Sequence, residues 1–314
     1  YFIRETNDIL FDIPINVLTG FTSQTSNAAK MENKGWELGL RYNKTFGDLK
    51  VQLSGQLSKV ENTVVDLNPK VDGGDVDRIV YETRILAEGF PFLGFYGIKT
   101  DGLITGSPNA ANASLGAQAG DLNLVDFDGD NEISLDDRQY LGKDIPTYTY
   151  GFQLGLQYKN FDLAAIFQGE ADVQYFGDFE LWNPDFGGVV TWKKWFTESV
   201  TNNPSGTFPR AGTTTSSYRF KTDFFLYDRD YLRLKNLQIG YNIPTDSLPI
   251  DGLRLFFNAT NLLTFTNIPL VDPEQRSGAA TIADPDLQGS GWGNRPNATY
   301  PNNRTLSFGI SAKF

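Results

Sequence analysis

The sequence predicts an all-β fold, namely a portion of a transmembrane β-barrel, on three observations. Long segments alternate apolar and polar residues, with aromatic residues at both ends of the apolar face. The connections alternate between short turns and long loops rich in Gly, Pro, Asn, Ser and Thr. The last segment, Arg304 to Phe314, is amphipathic and ends in an aromatic residue. Tilted strands of about 9–11 residues, joined in this way, are typical of outer-membrane barrels.

About ten antiparallel strands are predicted. The clearest is 148–158, where Tyr, Phe and Leu alternate with Thr, Gly and Gln. This period of two is that of a strand with one apolar and one polar face. The predicted strands lie near residues 1–12, 34–47, 48–61, 78–88, 93–104, 146–158, 160–176, 217–243, 252–265 and 304–314.

The connections predict an orientation, because outer-membrane barrels have short periplasmic turns and long extracellular loops. The short connections are Gly47-Asp48, the region of Gly89-Phe90-Pro91, Lys159-Asn160, and Pro244 to Gly252. The long ones lie around 13–33, 62–77, 105–145, 177–216 and 266–303. With the short turns in the periplasm, the last strand runs downward and pairs with the strand near 252–265. We expect the C-terminus in the periplasm.

Composition agrees with a β protein and excludes several kinds of chemistry. The 314 residues carry a net charge of −11, with 31 Gly, 14% aromatic residues, and neither Cys nor His. Thiol nucleophiles, disulfides and imidazole bases or metal ligands are therefore excluded. The acidic balance excludes nucleic acid as a partner, since no basic patch is present. We expect a chain that is not an enzyme.

The beginning of the chain predicts a fragment or a processed piece. It starts with Tyr1-Phe2-Ile3-Arg4, without an initiator Met, a basic n-region or an apolar h-region. No apolar run of about 18 residues predicts a membrane-spanning helix, although this test does not detect strands.

A soluble β-sandwich is the other fold that alternation permits. Its strands are commonly about five or six residues long and rarely need aromatic residues at both ends. The longer segments and the alternation of connection lengths favour the barrel.

Several short segments occur in a specific order and spacing. They are Asn33-Lys34-Gly35-Trp36-Glu37, Phe95-Tyr96-Gly97 with Asp101-Gly102, Gly120-Asp121-Leu122 before Asp126 to Arg138, Tyr231-Leu232-Arg233-Leu234-Lys235-Asn236, and Asn258-Ala259-Thr260-Asn261-Leu262. Together they resemble the C-terminal barrel half of the SusC/RagA family of TonB-linked outer-membrane transporters. The resemblance covers nearly the whole chain.

This resemblance implies a 22-stranded barrel with a plug domain, of which residues 1–314 supply about the last ten strands. The plug and the segment that contacts the TonB complex are expected upstream. The implied function is import of an oligosaccharide or peptide across the outer membrane. A SusD-like surface lipoprotein is the implied partner at the extracellular loops, and outer-membrane lipid surrounds the barrel.

Residues 126–137 have the spacing of an EF-hand calcium loop. Carboxylates at loop positions 1, 3, 5 and 12 and the carbonyl at position 7 converge on a hard cation in such loops. The expected ligands are Asp126, Asp128, Asp130, the Glu132 carbonyl and Asp137.

The loop departs from the EF-hand pattern at two positions. Asn131 replaces Gly, and Asp137 replaces Glu. Asn tolerates a positive φ and Asp binds through one oxygen, so we expect weaker affinity. The other interpretation is a hydrated acidic loop, although four carboxylates this close repel each other without a cation. We expect a structural Ca²⁺ in the extracellular loop 105–145.

No other group of residues in the sequence identifies a substrate-binding residue. Trp182, Trp192, Trp195 and Trp292 lie in long loops, where indoles stack on sugar rings or pack within the loop equally well.

The leading hypothesis is therefore TonB-dependent import. The alternatives are a secreted or surface calcium-dependent β-sandwich binding module, a passive porin, and a barrel component of an export machine. A complete protein that is soluble without detergent would favour the sandwich, and an upstream sequence without a plug would exclude the TonB-dependent transporter.

Overall fold

The structure is a computed structural model in which strands dominate. It describes residues 1–14, 20, 23–67, 70–71, 74–75, 78–81, 84–176, 200, 205–210, 222–245, 249–268, 272–274 and 302–314. In chain order the strands are β1 (Phe2–Pro14), β2 (Ser23–Phe46), β3 (Leu49–Leu67), β4 (Lys70–Val71), β5 (Gly74–Asp75), β6 (Arg78–Tyr81), β7 (Arg84–Ala87), β8 (Gly94–Ile98), β9 (Thr100–Leu103), β10 (Leu122–Leu124), β11 (Arg138–Gly142), β12 (Tyr148–Tyr158), β13 (Phe161–Ala171), β14 (Gln174–Phe176), β15 (Leu226–Asp228), β16 (Tyr231–Ile243), β17 (Gly252–Thr266) and β18 (Thr305–Lys313). One short helix, α1 (Ala110–Ser114), and a 3₁₀ turn (Asp223–Phe225) complete the elements of these ranges.

Eight strands form one antiparallel sheet, here called the wall, in the order β1-β2-β3-β12-β13-β16-β17-β18. Adjacent strands of the wall are also consecutive along the chain, with two exceptions. Strands β4 to β11 come between β3 and β12, and strands β14 and β15 come between β13 and β16. The predicted fold class is confirmed, and so is the pairing of the last strand with β17. Within the described residues β1 and β18 are edge strands, so the sheet does not close on itself.

The wall has one apolar and one polar face, as the alternation predicts. On the apolar face Phe152 of β12 lies opposite Phe167 of β13, and the rings stack with their centroids 4.3 Å apart. Leu40 and Phe308 of this face are 66% and 83% exposed. In a β-sandwich a second sheet would cover such residues. In the described part of the chain this face is open instead, as a lipid-facing surface is.

The second fold unit, here called the insertion, comprises residues 78–145 between β3 and β12. It contains a four-stranded sheet of order β11-β8-β7-β6 and the two-stranded sheet β10-β9. It buries a conventional core of its own, which includes Ile98, Ala111, Leu122, Leu124 and Ile133. A second buried cluster lies where the insertion meets β2 and β3.

Polar side chains also fix the insertion from within. Asn109 caps helix α1, because its side-chain oxygen accepts a hydrogen bond from Asn112 N at 2.8 Å. The fully buried Asn112 amide bonds both the N–H and the carbonyl of Leu124, at 3.0 and 2.8 Å. The helix is thereby tied to strand β10.

Two of the ten predicted strands are wrong as wall strands. Residues 78–88 and 93–104 form β6 to β9, which belong to the insertion, so β12 pairs directly with β3. Strands β7 and β8 have four and five residues and are buried on both faces. Such short strands cannot cross a bilayer, which requires about 9–11 residues.

The position of one predicted turn and the bounds of several predicted strands also differ from the structure. The turn at Gly89-Phe90-Pro91 was expected beside the other short turns, but it lies at the opposite end of the wall, bonded to Val64 of β3. The predicted strand 217–243 is interrupted, because β15 pairs with β14 outside the wall and β16 begins only at Tyr231. Strands β2 and β3 extend into the predicted loops 13–33 and 62–77, because they continue to pair with each other there.

Three directly opposed pairs combine an aromatic residue with a glycine on the next strand. They are Phe2 and Gly35, Tyr150 and Gly169, and Phe256 and Gly309. Each ring occupies the space that a Cβ on its glycine would need, with contacts of 2.7, 2.4 and 2.2 Å. Because such a fit exists in one register only, these pairs favour the observed alignment of strands.

Candidate functional site

The polar face of the wall is lined mainly by amides, hydroxyls and glycines. One row crosses four strands through Glu37, Ser58, Thr149 and Glu170. The rows beyond it, toward the short turns, carry the glutamines Gln52, Gln56, Gln153, Gln157, Gln168 and Gln238. Amides donate and accept hydrogen bonds, so this face suits contact with water and neutral polar groups.

Near the short turns an ion pair ties three strands together on the polar face. Arg254 of β17 reaches across β16 to Asp162 of β13, with Nη2 2.5 Å from Oδ2. A Cβ on the intervening Gly240 would lie 2.3 Å from the same Nη2, so the crossing requires glycine there. An open pocket of about 430 Å³ adjoins this pair and includes Asn242 and Lys313 in its lining.

The acidic loop, residues 126–137, brings three predicted ligands together. One carboxylate oxygen from each of Asp126, Asp128 and Asp130 lies within 4.8 Å of the others. Asp126 also accepts hydrogen bonds from Gly129 N and Asn131 N, at 2.7 and 2.9 Å. Asn131 has φ +66°, the conformation in which it was expected to replace glycine.

The fifth predicted ligand, Asp137, is not one of these converging carboxylates and has no exposed surface. Its two oxygens accept hydrogen bonds from Phe127 N at 2.6 Å and Ser134 N at 2.7 Å. Asp137 therefore closes the loop on itself in this structure. Glu132, whose carbonyl was the remaining predicted ligand, donates its N–H to Asp130 Oδ1 at 2.7 Å.

Charge repulsion acts within the acidic loop. The hydrogen bond from Asp130 N lowers the pKa of the Asp128 carboxyl. Desolvation and the charges of Asp130, Asp137 and Asp126 act in the opposite direction and prevail, so the pKa of Asp128 is above its ordinary value. A bound cation would relieve this repulsion.

A buried ion-pair network on the polar face was missed by sequence reasoning. Arg229 is 1% exposed, with Nη2 2.9 Å from Glu170 Oε2 and Nη1 2.6 Å from the carbonyl of Pro273. Arg233 is 3% exposed, and its Nη2 lies 2.8 Å from Asp272 Oδ1. These arginines fasten residues 272–274, which follow β17, to strand β16.

Further contacts extend this network to the chain just before β18. Glu274 pairs with both Arg233 and Lys235, at 3.1 and 2.8 Å. Asn302 donates its amide to Glu274 at 2.6 Å and its backbone N–H to Asp272 at 3.0 Å. No local sequence signal could have found the network, because Asp272 and Glu274 follow β17 whereas Arg233, with which both pair, lies on β16. The tryptophans considered as sugar contacts lie outside the described residues.

Burial and hydrogen bonding oppose each other at Asp272. Desolvation raises the pKa of its carboxyl, whereas the hydrogen bonds from Arg233, Glu274 N and Asn302 N lower it by more. The pKa of Asp272 is therefore below its ordinary value.

No helix in the described part of the chain is both long and apolar enough to span a membrane.

Curated relatives align with the whole chain. TonB-dependent receptor P3 of Formosa agariphila is 32% identical, and the alignment covers 32% of that receptor. Receptor P26 of the same organism is 29% identical, again over the whole chain and 32% of its own length. SusC of Bacteroides thetaiotaomicron, also a TonB-dependent receptor, is 23% identical over 29% of its length. The chain thus spans about a third of the length of these relatives.

Solved structures show the same fold. A structure of the RagAB peptide transporter superposes on 99% of the chain with a TM-score of 0.72, at 24% identity, and the match covers 32% of that chain. RagAB in its open-open state matches equally well, with a TM-score of 0.72 and 23% identity, over 99% of this chain and 32% of that one. No protein-family model matches the sequence. These relatives are receptors and transporters, not enzymes. The chain is thus homologous in sequence to TonB-dependent receptors, SusC among them, shares the fold of the matching part of the RagAB structures, and corresponds to about a third of the length of these proteins.

Proposed function

We propose that the chain forms part of the wall and extracellular loops of an outer-membrane, TonB-dependent importer of oligosaccharides or peptides. The observation that carries this proposal is the alignment of the entire chain with TonB-dependent receptors, at up to 32% identity among those named above. The open apolar face of the wall supports a lipid environment, because water would disfavour so many exposed rings.

The proposed orientation places the short turns and the C-terminus in the periplasm. The tight turns between β2 and β3 and between β12 and β13 lie at one end of the wall, and the insertion lies at the other. Barrels of this class carry their long connections outside the cell. The insertion and the segment 272–274 are then extracellular.

Partners belong to the proposal as well. A SusD-like lipoprotein would contact the long connections, and the TonB complex would act through a part of the protein outside this chain. The support is the similarity to SusC and to the structures of RagAB. The substrate is named by class only, since the amides and hydroxyls that mainly line the polar face can bind neutral polar groups of either class.

We also propose that the acidic loop binds Ca²⁺ as a structural ion. Asp126, Asp128 and Asp130 already converge, and oxygen donors are what Ca²⁺ prefers. Coordination by Asp137 would require its carboxylate to exchange at least one backbone hydrogen bond for the ion. The Glu132 carbonyl is the remaining proposed ligand.

The decisive experiment uses the full-length protein in its native bacterium. Fractionation should place it in the outer membrane, and its folded form should migrate faster than the heated form in gel electrophoresis. Uptake of oligosaccharide and peptide mixtures should fall when the gene is deleted and also when TonB is deleted. A soluble full-length protein, or uptake unaffected by both deletions, would contradict the proposal.

A further inference from the structure

The polar face of the wall is open near the short turns and covered near the long connections. On β3, Gln52 and Gln56 are exposed, whereas Val64 on the same face has no exposed surface. On β16, Asn242 is exposed, whereas Arg233 is 3% exposed. Something therefore covers this face at one end only.

The first cover is the turn at residues 89–93. Phe92 N donates to the side-chain oxygen of Asn62 at 2.8 Å. Both backbone groups of Val64 are also used, by the carbonyl of Phe90 and the N–H of Gly89, at 2.9 Å each. Apolar packing completes the anchor around Val64, through Ala29, Leu67, Ile79 and Leu86 and the half-buried Ile9, Met31, Phe92 and Leu93.

The second cover is the segment 272–274, which Arg229 and Arg233 hold through buried ion pairs. The network contains three cations and three anions and is thus charge-balanced, with Arg229, Arg233, Lys235, Glu170, Asp272 and Glu274 as its members. Breaking one buried partner leaves an uncompensated charge, which strongly resists opening. This segment is therefore fixed in place.

Strand register places both covers on the same face. Glu170 and Ser58 belong to one cross-strand row through Thr149. Asn62 lies four residues beyond Ser58 on β3, and Arg233 lies opposite Gln168, two residues from Glu170. Since faces alternate with period two, both anchors share the polar face. In a closed barrel with its apolar face toward lipid, that face is the interior.

We propose that residues 89–93 and 272–274 form an inward ledge, which limits the size of hydrophilic solutes that reach the polar face from the long-connection end. The ledge rests on the proposed function, because its interior position requires the complete barrel. Arg229 and Arg233 are positioning residues for one half of the ledge. Asn62 and Val64 anchor the other half.

The test measures access to a thiol beneath the ledge in the full-length protein on intact cells. Residues 1–314 contain no Cys, so Thr149→Cys, in the exposed row of the polar face next to the ledge, introduces the one thiol of this chain, and the full-length protein without it is the blank. Two membrane-impermeant reagents are added outside, a small methanethiosulfonate and a large maleimide-poly(ethylene glycol). The readout is the labelling rate of the large reagent relative to the small one.

Loosening the ledge should raise this ratio. The double change Arg229→Met and Arg233→Met removes the clamp, and we expect the ratio to rise roughly tenfold, as release of a locally stable segment does. Asn62→Ala and Glu274→Gln are milder variants that should raise it less. Arg254→Met, on the same face near the short turns, is the matched control and should leave it unchanged.

The ledge is contradicted if no ledge variant changes the ratio of large-reagent to small-reagent labelling, at whatever absolute rate labelling occurs. The variants must still fold, as shown by heat-dependent migration in gel electrophoresis. A ratio raised equally by Arg254→Met also overturns it. Failure of the proposed function is separate, since it appears as loss of outer-membrane location or of TonB-dependent uptake in the parent protein.

Discussion

The wall and the insertion differ in how far their apolar residues are buried within the protein. In the wall, Leu40 and Phe308 are 66% and 83% exposed, and their face has no protein cover in the described residues. In the insertion, Leu122 and Leu124 are 0% and 1% exposed and pack among themselves. The described part of the chain therefore leaves its first apolar surface without protein cover and covers its second with its own side chains.

The two regions also differ in what fixes their geometry. The ladder between β12 and β13 runs from the pair of Tyr148 and Ala171 to the pair of Tyr158 and Phe161 without a register shift. The insertion has shorter ladders, such as that between β6 and β7 with four residue pairs, and side chains such as Asn112 hold it together. Register shifts occur in both regions. Backbone pairing thus specifies the wall, whereas side-chain contacts specify the insertion.

The largest expected contrast comes from leucine truncation in each region. Leu124→Ala should destabilise the insertion by about 3–5 kcal/mol, because a protein core keeps the cavity. Leu40→Ala should cost only the transfer free energy of the lost carbons, about 2 kcal/mol, since lipid fills the space. Limited proteolysis of the full-length protein should cut the insertion of the first variant only. Equal protease sensitivity of both variants would break the comparison.

A smaller effect is expected from glycines within the wall. Gly309→Ala places a Cβ 2.2 Å from the Phe256 ring, and Gly169→Ala places one 2.3 Å from the Tyr231 carbonyl. Each should cost about 1–3 kcal/mol through overpacking. Gly39→Ala, which meets nothing within 4 Å, is the control and should stay within about 0.5 kcal/mol. Urea unfolding of the full-length protein in lipid vesicles measures all three, and an equal cost for Gly39→Ala would contradict the register argument.

Sequence reasoning predicted the wall well because a bilayer imposes a strict pattern. Long alternating segments such as 148–158 must have one apolar face, and their length must match the membrane. The same reasoning failed for 78–104, where the strands are buried on both faces. A core strand in a water-exposed unit has no required alternation, so its pattern does not show which sheet it joins.

The candidate site was predicted in part for a similar reason. The spacing of Asp126, Asp128 and Asp130 is local, so their convergence follows from one loop. The pairing of Arg233 with Asp272 depends on how a later connection folds back on β16, and nothing local encodes it. Residues distant in sequence were therefore the ones that sequence reasoning missed.

A still smaller effect is expected from pH, with opposite signs in the two regions. The lowered pKa of Asp272 contributes stability that is present above the ordinary Asp pKa, about 3.9, and is lost as pH falls through the folded value. The raised pKa of Asp128 has the reverse sign, so protonation relieves the acidic loop.

Hydrogen exchange of the full-length protein in detergent, between neutral pH and pH of about 3, separates these two responses once intrinsic exchange rates are divided out. Protection near residues 272–274 should decrease only below the ordinary Asp pKa, and protection of the acidic loop should not decrease with it. Parallel loss of protection in both regions would show that acid opens the whole end of the wall that carries the long connections instead.

The smallest expected effect is that of calcium on the insertion alone. If the acidic loop binds Ca²⁺, an ion concentration ten times the dissociation constant should stabilise the insertion by roughly 1.4 kcal/mol. Asp128→Ala, which removes a ligand oxygen, should abolish this gain, whereas Asp136→Ala, at an exposed acid outside the proposed ligands, should retain it. Proteolysis of the insertion with and without chelator measures this gain. The wall, whose strand alignment depends on the aromatic–glycine pairs, should not change in stability when the ion is removed. A chelator effect that survives Asp128→Ala would assign the calcium to another site, because the converging carboxylates of Asp126 and Asp130 then lack their central partner.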